Sequence, residues 1–479
     1  MDISFFFKPK SVAVFGASDN KMKGGYRILE SLVLNHYDGK IFPINPKGGI
    51  AFDIPFYRSI EEIEEEIDLG IFFVPNQYIP ELIAQCVKKG IKGAIIEAAG
   101  FEEVGEEGKK LVEQIRSITD NFKKFRIIGP NCTGISYFED YLKGFASSFV
   151  VHTKYKVGNI AIISQSGMMN GGYFLNMATS NPEMGFRYAS SIGNKMDVNE
   201  NDLIEYIMKD EKVKVLMLYL ESSSNAKRLI ELIKDAQIQY GKRVVLLRGG
   251  VSGLGKQAVA SHTGSIAEDS RLITAVLKQS GAILVEDFYE LSLVSKTLSI
   301  LMEHDLKLPE KQKLAIVTGS GGAGTIISDL CQELGIEMPI LKNEIYKKIA
   351  ELYPEWMPPN LFALVDIWPA IEKARGNTEI GLTAADYLFE QEDIQMVIVM
   401  VFCSETWPFS IRNLAKLVKK HKKPIFAFHF GDATMMTDEK NRLEKNGIPT
   451  FYSEKQLIQT FYKITESNMR IKRMRAEKT

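Results

Sequence analysis

The sequence predicts an α/β chain of consecutive doubly wound domains, each built on a parallel sheet. Three observations predict it. First, a short β-branched run, a glycine-rich turn and a helical segment recur as "SVAVFGAS" (11–18), "NIAIISQSGMMNGG" (159–172) and "KLAIVTGSGGAG" (313–324). Each reads as a buried parallel strand delivering its end to a helix N-terminus. Second, further strands of the same kind alternate with amphipathic helices, which implies βαβ units. Third, 479 residues are too many for one core, and the openings stand about 150 residues apart, a domain's worth of chain. The expected architecture is three such domains, near 1–140, 150–305 and 310–470.

Taken in order, the first opening is followed by strands "KIFPIN", "LGIFFVP", "KGAIIEAAG" and "RIIGPN", with helices such as "IPELIAQCVKKG" between them. The acidic run "EEIEEEID" (61–68) carries isoleucines at 60, 63 and 67, a spacing that predicts a solvated helix face. The second opening leads through the helix "NDLIEYIMKD" to the strands "VKVLMLYLES" and "KRVVLLRGG". A glycine-bearing loop then precedes a helix over "GSIAEDSRLITAVLKQSG". The charged, proline-bearing "LMEHDLKLPEKQK" (301–313) is the linker candidate. Beyond it come the third opening, the strands "MVIVMVF" and "KPIFAFHFG", and a basic tail read as frayed, "MRIKRMRAEKT".

Composition narrows the function classes. An apolar fraction of 45% with 25% charged residues is that of an ordinary globular protein. A formal charge of −1 gives a nucleic-acid partner no electrostatic support. Cys86, Cys132, Cys331 and Cys403 are far apart, so reduced thiols and no metal site are expected. The N-terminus lacks a basic region and cleavage pattern, and no apolar run reaches about 18 residues. No membrane span and a cytoplasmic location are the expectation.

A strand that runs through glycine into a helix offers unpaired N–H groups and a positive dipole end to an anion. At the first opening the turn is Gly16-Ala17-Ser18, without full G-x-G-x-x-G spacing. The second strand ends in Asn45-Pro46-Lys47, where a nicotinamide-dinucleotide site would place an acid for the ribose hydroxyls. Lys47 suits a phosphorylated ribose, as in coenzyme A. Glycines that serve strand–helix packing alone are the competing reading. At the second opening Ser164, Gln165, Ser166 and Gly167 combine hydroxyls with a helix start, an anion cradle or a plain cap. The order is not that of a G-x-S-x-G hydrolase. The third, "TGSGGAG", favours close backbone approach but lacks the Gly-Lys-Ser/Thr of a P-loop.

The segment "ASHTGS" (260–265) sets His262 among small residues, after a stretch with glycines at 249, 250, 253 and 255. Read as a mobile loop ahead of a helix, it would let a phosphorylated imidazole meet the helix dipole and the Thr263 and Gly264 amides. A fixed carboxylate should orient the ring, and Glu221, ending a buried strand, is best placed by pattern. A structural histidine is the alternative.

The ordered set "VAVFGAS", "INPK", "AAGFEE", "GPNCTG", "SQSG", "SIGNKMDVNENDLIEY", "YLES" and "ASHTGS" resembles the NDP-forming acyl-CoA synthetases, which include succinyl-CoA synthetase and ADP-forming acetyl-CoA synthetase. The resemblance spans nearly the whole chain. It implies a CoA-binding Rossmann-like domain, a flavodoxin-like domain carrying a phosphohistidine, and a further flavodoxin-like ligase CoA domain. His262 matches the phosphorylated histidine and Glu221 its orienting glutamate. Gly16, Ala17, Ser18, Asn45 and Lys47, with Val74, Pro75 and Asn131, match the CoA site. Ser164, Gln165, Ser166, Gly167, Ser191, Gly193, Asn194, Thr263 and Gly264 match the region of the phosphate and of CoA's reactive end. The implied activity is acid–thiol ligation through acyl phosphate and phosphohistidine. No segment is left over for the family's ATP-grasp domain, so the chain is expected to be an α-type subunit. ATP or ADP and Mg2+ would then sit on a separate ATP-grasp β subunit, in a two-plus-two heterotetramer as the resemblance implies.

Two departures stand out. Glu268-Asp269 replace a usual glycine after the histidine, and Ala363-Leu364 stand before Asp366 where the family has Asn-Pro. A non-catalytic CoA- or acyl-CoA-binding regulatory protein keeps the cradles without the chemistry and is the alternative function. An NAD-dependent oxidoreductase conflicts with Asn45 and Lys47.

Overall fold

The run Val12-Ala13-Val14 has no polar residue, so both faces of the first strand must be covered, and helices cover them in a parallel sheet. The computed structural model describes residues 2–122, 124–140, 143–147, 155–263, 270–405 and 410–477, with the backbone alone at 140, 143, 144, 146, 260–263, 270 and 271. The chain divides into two compact units, Met1–Leu291 and Ser292–Thr479.

The first unit contains two sheets. Its strands are β1 (Ser11–Phe15), β2 (Lys40–Ile44), the short hairpin β3 (Ile50–Ala51) and β4 (Ile54–Pro55), β5 (Leu69–Phe72), β6 (Gly93–Ile96), β7 (Arg126–Ile128), β8 (Ile135–Asp140), β9 (Lys143–Ala146), β10 (Lys156–Ser164), β11 (Gly185–Ser191), β12 (Val215–Leu220), β13 (Arg243–Arg248) and β14 (Ile283–Val285). The first sheet has the order β2-β1-β5-β6-β7, all parallel. The second has the order β14-β13-β12-β10-β11-β8-β9, in which β10 to β14 are parallel and β8–β9 form an antiparallel edge. One apolar cluster joins Val12, Val14, Leu69 and Ile128 of the first sheet to Ala161, Ile163, Tyr188 and Leu216 of the second. The opposite face of the first sheet packs Ala13, Phe15, Phe72 and Ile96 against Val112 and Ile115 of the helix Glu106–Thr119.

The second unit holds β15 (Leu314–Thr318), β16 (Leu364–Asp366), β17 (Met396–Cys403), β18 (Ile425–Gly431) and β19 (Thr450–Phe451), in the order β16-β15-β17-β18-β19, all parallel. Numbered by their parallel strands alone, all three sheets share the order 2-1-3-4-5. Each glycine-rich opening follows strand 1, beside which the chain reverses its winding. Ligands of open α/β sheets bind at that switch, outside the strands' carboxyl ends. The expected α/β fold of doubly wound parallel sheets is the one observed.

Four local expectations change. The acidic run makes only a 3₁₀ turn at Ile60–Glu62, after which Ile63 is extended. Its isoleucines 60, 63 and 67 are buried as their spacing suggested, without a helix. The loop read over 249–263 is a helix from Gly253 to Thr263, begun by Ser252, whose Oγ accepts the Gly255 amide at 3.0 Å. Lys256 to Ala260 are helix formers, and they outweigh the two glycines at its start. The next helix runs Ser270–Gln279. The basic tail continues the helix Glu454–Ala476, held by buried Leu457, Phe461, Ile464 and Ile471. The linker candidate 301–313 packs into the second unit through Leu301 and Leu306. All four cysteines are buried and unbridged.

Candidate functional site

The first opening is braced before it can bind anything. Gly16 has φ +86°, and a Cβ there would stand 2.2 Å from the Phe73 carbonyl oxygen, so only glycine fits. The Gly16 and Ala17 amides donate to the Ile44 carbonyl at 3.1 and 3.2 Å. Their N–H groups are thus spent on bracing rather than offered to an anion. Asn45 clamps the two loops: its Nδ2 donates to the Ala17 carbonyl at 2.8 Å, and its Oδ1 accepts the Lys47 amide at 2.9 Å. Ser18 is buried and its Oγ accepts the Asn20 amide at 3.1 Å. Lys47 and Pro75 are exposed and Val74 is half-buried. The helix itself starts only at Gly24, behind Lys23, which supplies no side-chain cap. At that start the Tyr26 and Arg27 amides donate to the Lys23 carbonyl at 3.1 and 3.3 Å.

The second opening is knitted into the ends of its neighbouring strands. Ser164 is fully buried, and its Oγ accepts the Ser166 amide at 3.0 Å. Gln165, 7% exposed, accepts the amides of Glu221 and Ser222 on one oxygen, at 2.7 and 2.9 Å. Its Nε2 lies 3.4 Å from the Ser222 hydroxyl. The Gly167 carbonyl accepts from Thr133 Oγ1 at 3.0 Å, and the Ser191 Oγ accepts the Thr133 amide at 3.1 Å.

The loop after β11 closes on the loop after β7. Gly193 has φ +52°, and a Cβ there would lie 2.2 Å from the Pro130 carbonyl oxygen. The Asn194 amide donates to that same carbonyl at 2.9 Å. Asn194 also donates through Nδ2 to Glu103 at 2.6 Å, and accepts on Oδ1 from Asn131 at 3.3 Å. The fold thus gathers Asn131, Ser164 to Gly167, Ser191, Gly193, Asn194 and Glu221 at the carboxyl ends of β7, β10, β11 and β12. Gly16, Ala17, Ser18, Asn45, Lys47, Val74 and Pro75 stand at the ends of β1, β2 and β5.

Glu221 follows β12 directly. Its Oε1 accepts from the Tyr219 hydroxyl at 3.1 Å, while Oε2 is buried with no partner among the described residues. Burial, with Glu221 second, raises the Tyr219 phenol well above its usual range. Residues 260–263 close the helix Gly253–Thr263, which runs beside the turn Glu102–Val104. The side chains of His262 and Thr263 lie outside the described residues, as do Gly264 and Glu268-Asp269 entirely. In the backbone, His262 belongs to the end of one helix and not to the start of the next.

Sequence reasoning missed two groups. Lys195, at φ +55°, pairs with Glu200 at 3.1 Å and donates to the Ser222 carbonyl at 2.9 Å. Glu200 is fully buried and accepts Ser223 Oγ at 3.0 Å and the Ser224 amide at 2.7 Å. This pair ties the loop after β11 to the loop after β12. Glu97, directly after β6, is 5% exposed, and neither carboxyl oxygen has a partner among the described residues. Burial raises its pKa well above the usual carboxyl range. Burial first, then the neighbouring Glu97, likewise keeps the Cys132 thiol protonated. Both lay within motifs the sequence displays, but only a buried charge without periodicity marks them.

Comparison with known proteins agrees with this geometry. Residues 10–137 match the CoA binding domain family, and residues 157–298 the succinyl-CoA ligase like flavodoxin domain. The chain is 32% identical to the Acetate–CoA ligase (ADP-forming) II subunit alpha of Pyrococcus furiosus, over 97% of both chains. It belongs to the NDP-forming acyl-CoA synthetases. The Acetate–CoA ligase (ADP-forming) II of Archaeoglobus fulgidus is 34% identical over 97% of this chain and 67% of its own length. The crystal structure of PH0766 from Pyrococcus horikoshii superimposes with a TM-score of 0.80 at 27% identity, covering 98% of this chain and all of that one. As an NDP-forming acyl-CoA synthetase chain it is of the acid–thiol ligase class, with a CoA-binding domain and relatives that are alpha subunits. Among the described residues, no helix is long and apolar enough to cross a membrane.

Proposed function

We propose that the chain is the α-type subunit of a reversible NDP-forming acyl-CoA synthetase, working in the cytoplasm with a separate ATP-grasp β subunit. In the direction of nucleotide synthesis, phosphate displaces CoA from an acyl-CoA, giving acyl phosphate and free thiol. The His262 imidazole then attacks phosphorus, releasing the carboxylate. The phosphohistidine finally passes its phosphoryl group to a nucleoside diphosphate, which with Mg2+ is held by the partner, in a heterotetramer. CoA would bind across the ends of β1, β2 and β5, its charged end near Lys47 and the Gly24 helix start. Its thiol end would reach Asn131, Asn194 and the Ser164–Gly167 opening, where the Ser191 and Gly193 loop closes the site. Glu221 would hold the imidazole N–H, with Thr263 and Gly264 beside it. Three functional domains near 1–140, 150–305 and 310–470 fit this division of work.

The observation that carries the reading is the Glu221 oxygen, buried at a strand's carboxyl end and unpartnered among the described residues. A buried carboxylate oxygen without a donor is costly, and an imidazole N–H would satisfy it. The test combines the purified chain with an ATP-grasp partner. Acid, CoA and ATP together should give acyl-CoA, and an acid-labile, base-stable phosphoryl label should vanish in His262→Ala. Full turnover in His262→Ala would refute the mechanism. CoA binding with no label in the native protein would favour a regulatory CoA binder instead.

A further inference from the structure

In the second unit, the last residue of β17, Cys403, and His429 of β18 face the same side of the sheet. The register pairs Val401 with His429 and Cys403 with Gly431, so the two are offset by two positions and their side chains point alike. The helix Ala433–Lys445 covers that side and brings Glu439 to them. One donor atom from each of Cys403, His429 and Glu439 lies within 4.8 Å of the other two. The His429 Nε2 is 3.0 Å from Glu439 Oε2. Cys403 and His429 are each 1% exposed, and Glu439 is half-buried on the solvent side.

We propose that Cys403, His429 and Glu439 bind a zinc-type divalent cation, with water as the fourth ligand. Donor chemistry and the mutual approach of three donor atoms favour a metal there. Thiolate, imidazole and carboxylate together are the borderline set that selects Zn2+ over Mg2+ or Ca2+. Three protein ligands leave a fourth, tetrahedral position, and the half-buried Glu439 side gives solvent access to it. With Nε2 facing Glu439, the His429 Nδ1 is buried and has no partner among the described residues. Binding a dication displaces the Cys403 thiol proton to solvent, and thiolate plus carboxylate then balance the metal's charge. The residues stand at 403, 429 and 439 with no ligand-like spacing, which is why the sequence conceals them.

The test uses the full chain, freed of metal and without an affinity tag, titrated with Co2+ alone. One Co2+ per chain should give a thiolate-to-cobalt charge-transfer band and the visible bands of a tetrahedral site, both abolished by Zn2+. Cys403→Ser should lose the charge-transfer band. Because that variant touches a packed strand end, Glu439→Gln on the half-buried helix is the second, and should weaken Zn2+ binding by about tenfold or more with the fold intact by circular dichroism. Absence of a thiolate band in the native chain, or unchanged Zn2+ affinity in folded Glu439→Gln, would overturn the site. A band that persists in Cys403→Ser would do so too.

Discussion

Gln165 holds the Glu221 backbone in place, and its removal should be measurable at two amides. In Gln165→Leu the shape is roughly kept, but the acceptor of the Glu221 and Ser222 N–H groups, now at 2.7 and 2.9 Å, is lost. An interior donor left without an acceptor costs about 1–3 kcal/mol. Two donors sum to about 2–6 kcal/mol, and the half-buried state of Glu221 and Ser222 admits some water, which brings the expectation to about 2–4 kcal/mol of local stability. Native-state hydrogen exchange reads this residue by residue, independent of whether the whole chain unfolds in one step. At about 1.4 kcal/mol per tenfold, these two amides should exchange at least about 25-fold faster in Gln165→Leu. Gln165→Glu keeps the accepting oxygen and should retain most of the protection. Unchanged exchange in Gln165→Leu would show that the glutamine does not position Glu221.

Other perturbations follow from the same geometry. Gly193→Ala drives a methyl to 2.2 Å from the Pro130 carbonyl oxygen at a positive φ. It should weaken CoA binding by calorimetry and lower the unfolding midpoint of the first unit, and normal values for both would refute the loop closure. In the second unit, burial and then the nearby Lys296 lower the Lys440 pKa from 10.5 to about 8. Stability should therefore rise with pH between about 8 and 10.5, where the unfolded chain binds a proton that the native state lacks, and Lys440→Met should remove that slope and add up to roughly 3 kcal/mol at pH 7 in urea unfolding.

The openings were legible because each couples a β-branched run to glycine and then to a helix, and only one topology easily accommodates repeated units of that kind. Asn45 and Glu221 were legible for the same reason: they end strands, and strand ends can be counted. The helix Gly253–Thr263 was not, since its two glycines outweighed, on the page, alanines and a serine start that win once a covering surface exists. The isoleucines at 60, 63 and 67 marked burial correctly but not conformation, because a turn and an extended segment can bury the same spacing. Lys195 with Glu200, and Cys403 with His429, lie outside any periodicity. The first pair meets within the connection after β11, and the second because neighbouring strands end together, a fact of register that a linear text does not carry.

The edge strands β8 and β9 have a mechanical consequence. The chain leaves the first sheet at β7, lays a hairpin along the rim of the second, and only then begins β10. With the apolar cluster spanning both sheets, the two nucleotide-fold layers are sewn into one block. Rocking one against the other would open a shared interior and bare the backbone of β11. A cut near residue 150 would likewise leave the downstream piece with a raw, sticky margin. In such a block the two crevices keep a fixed distance from one another.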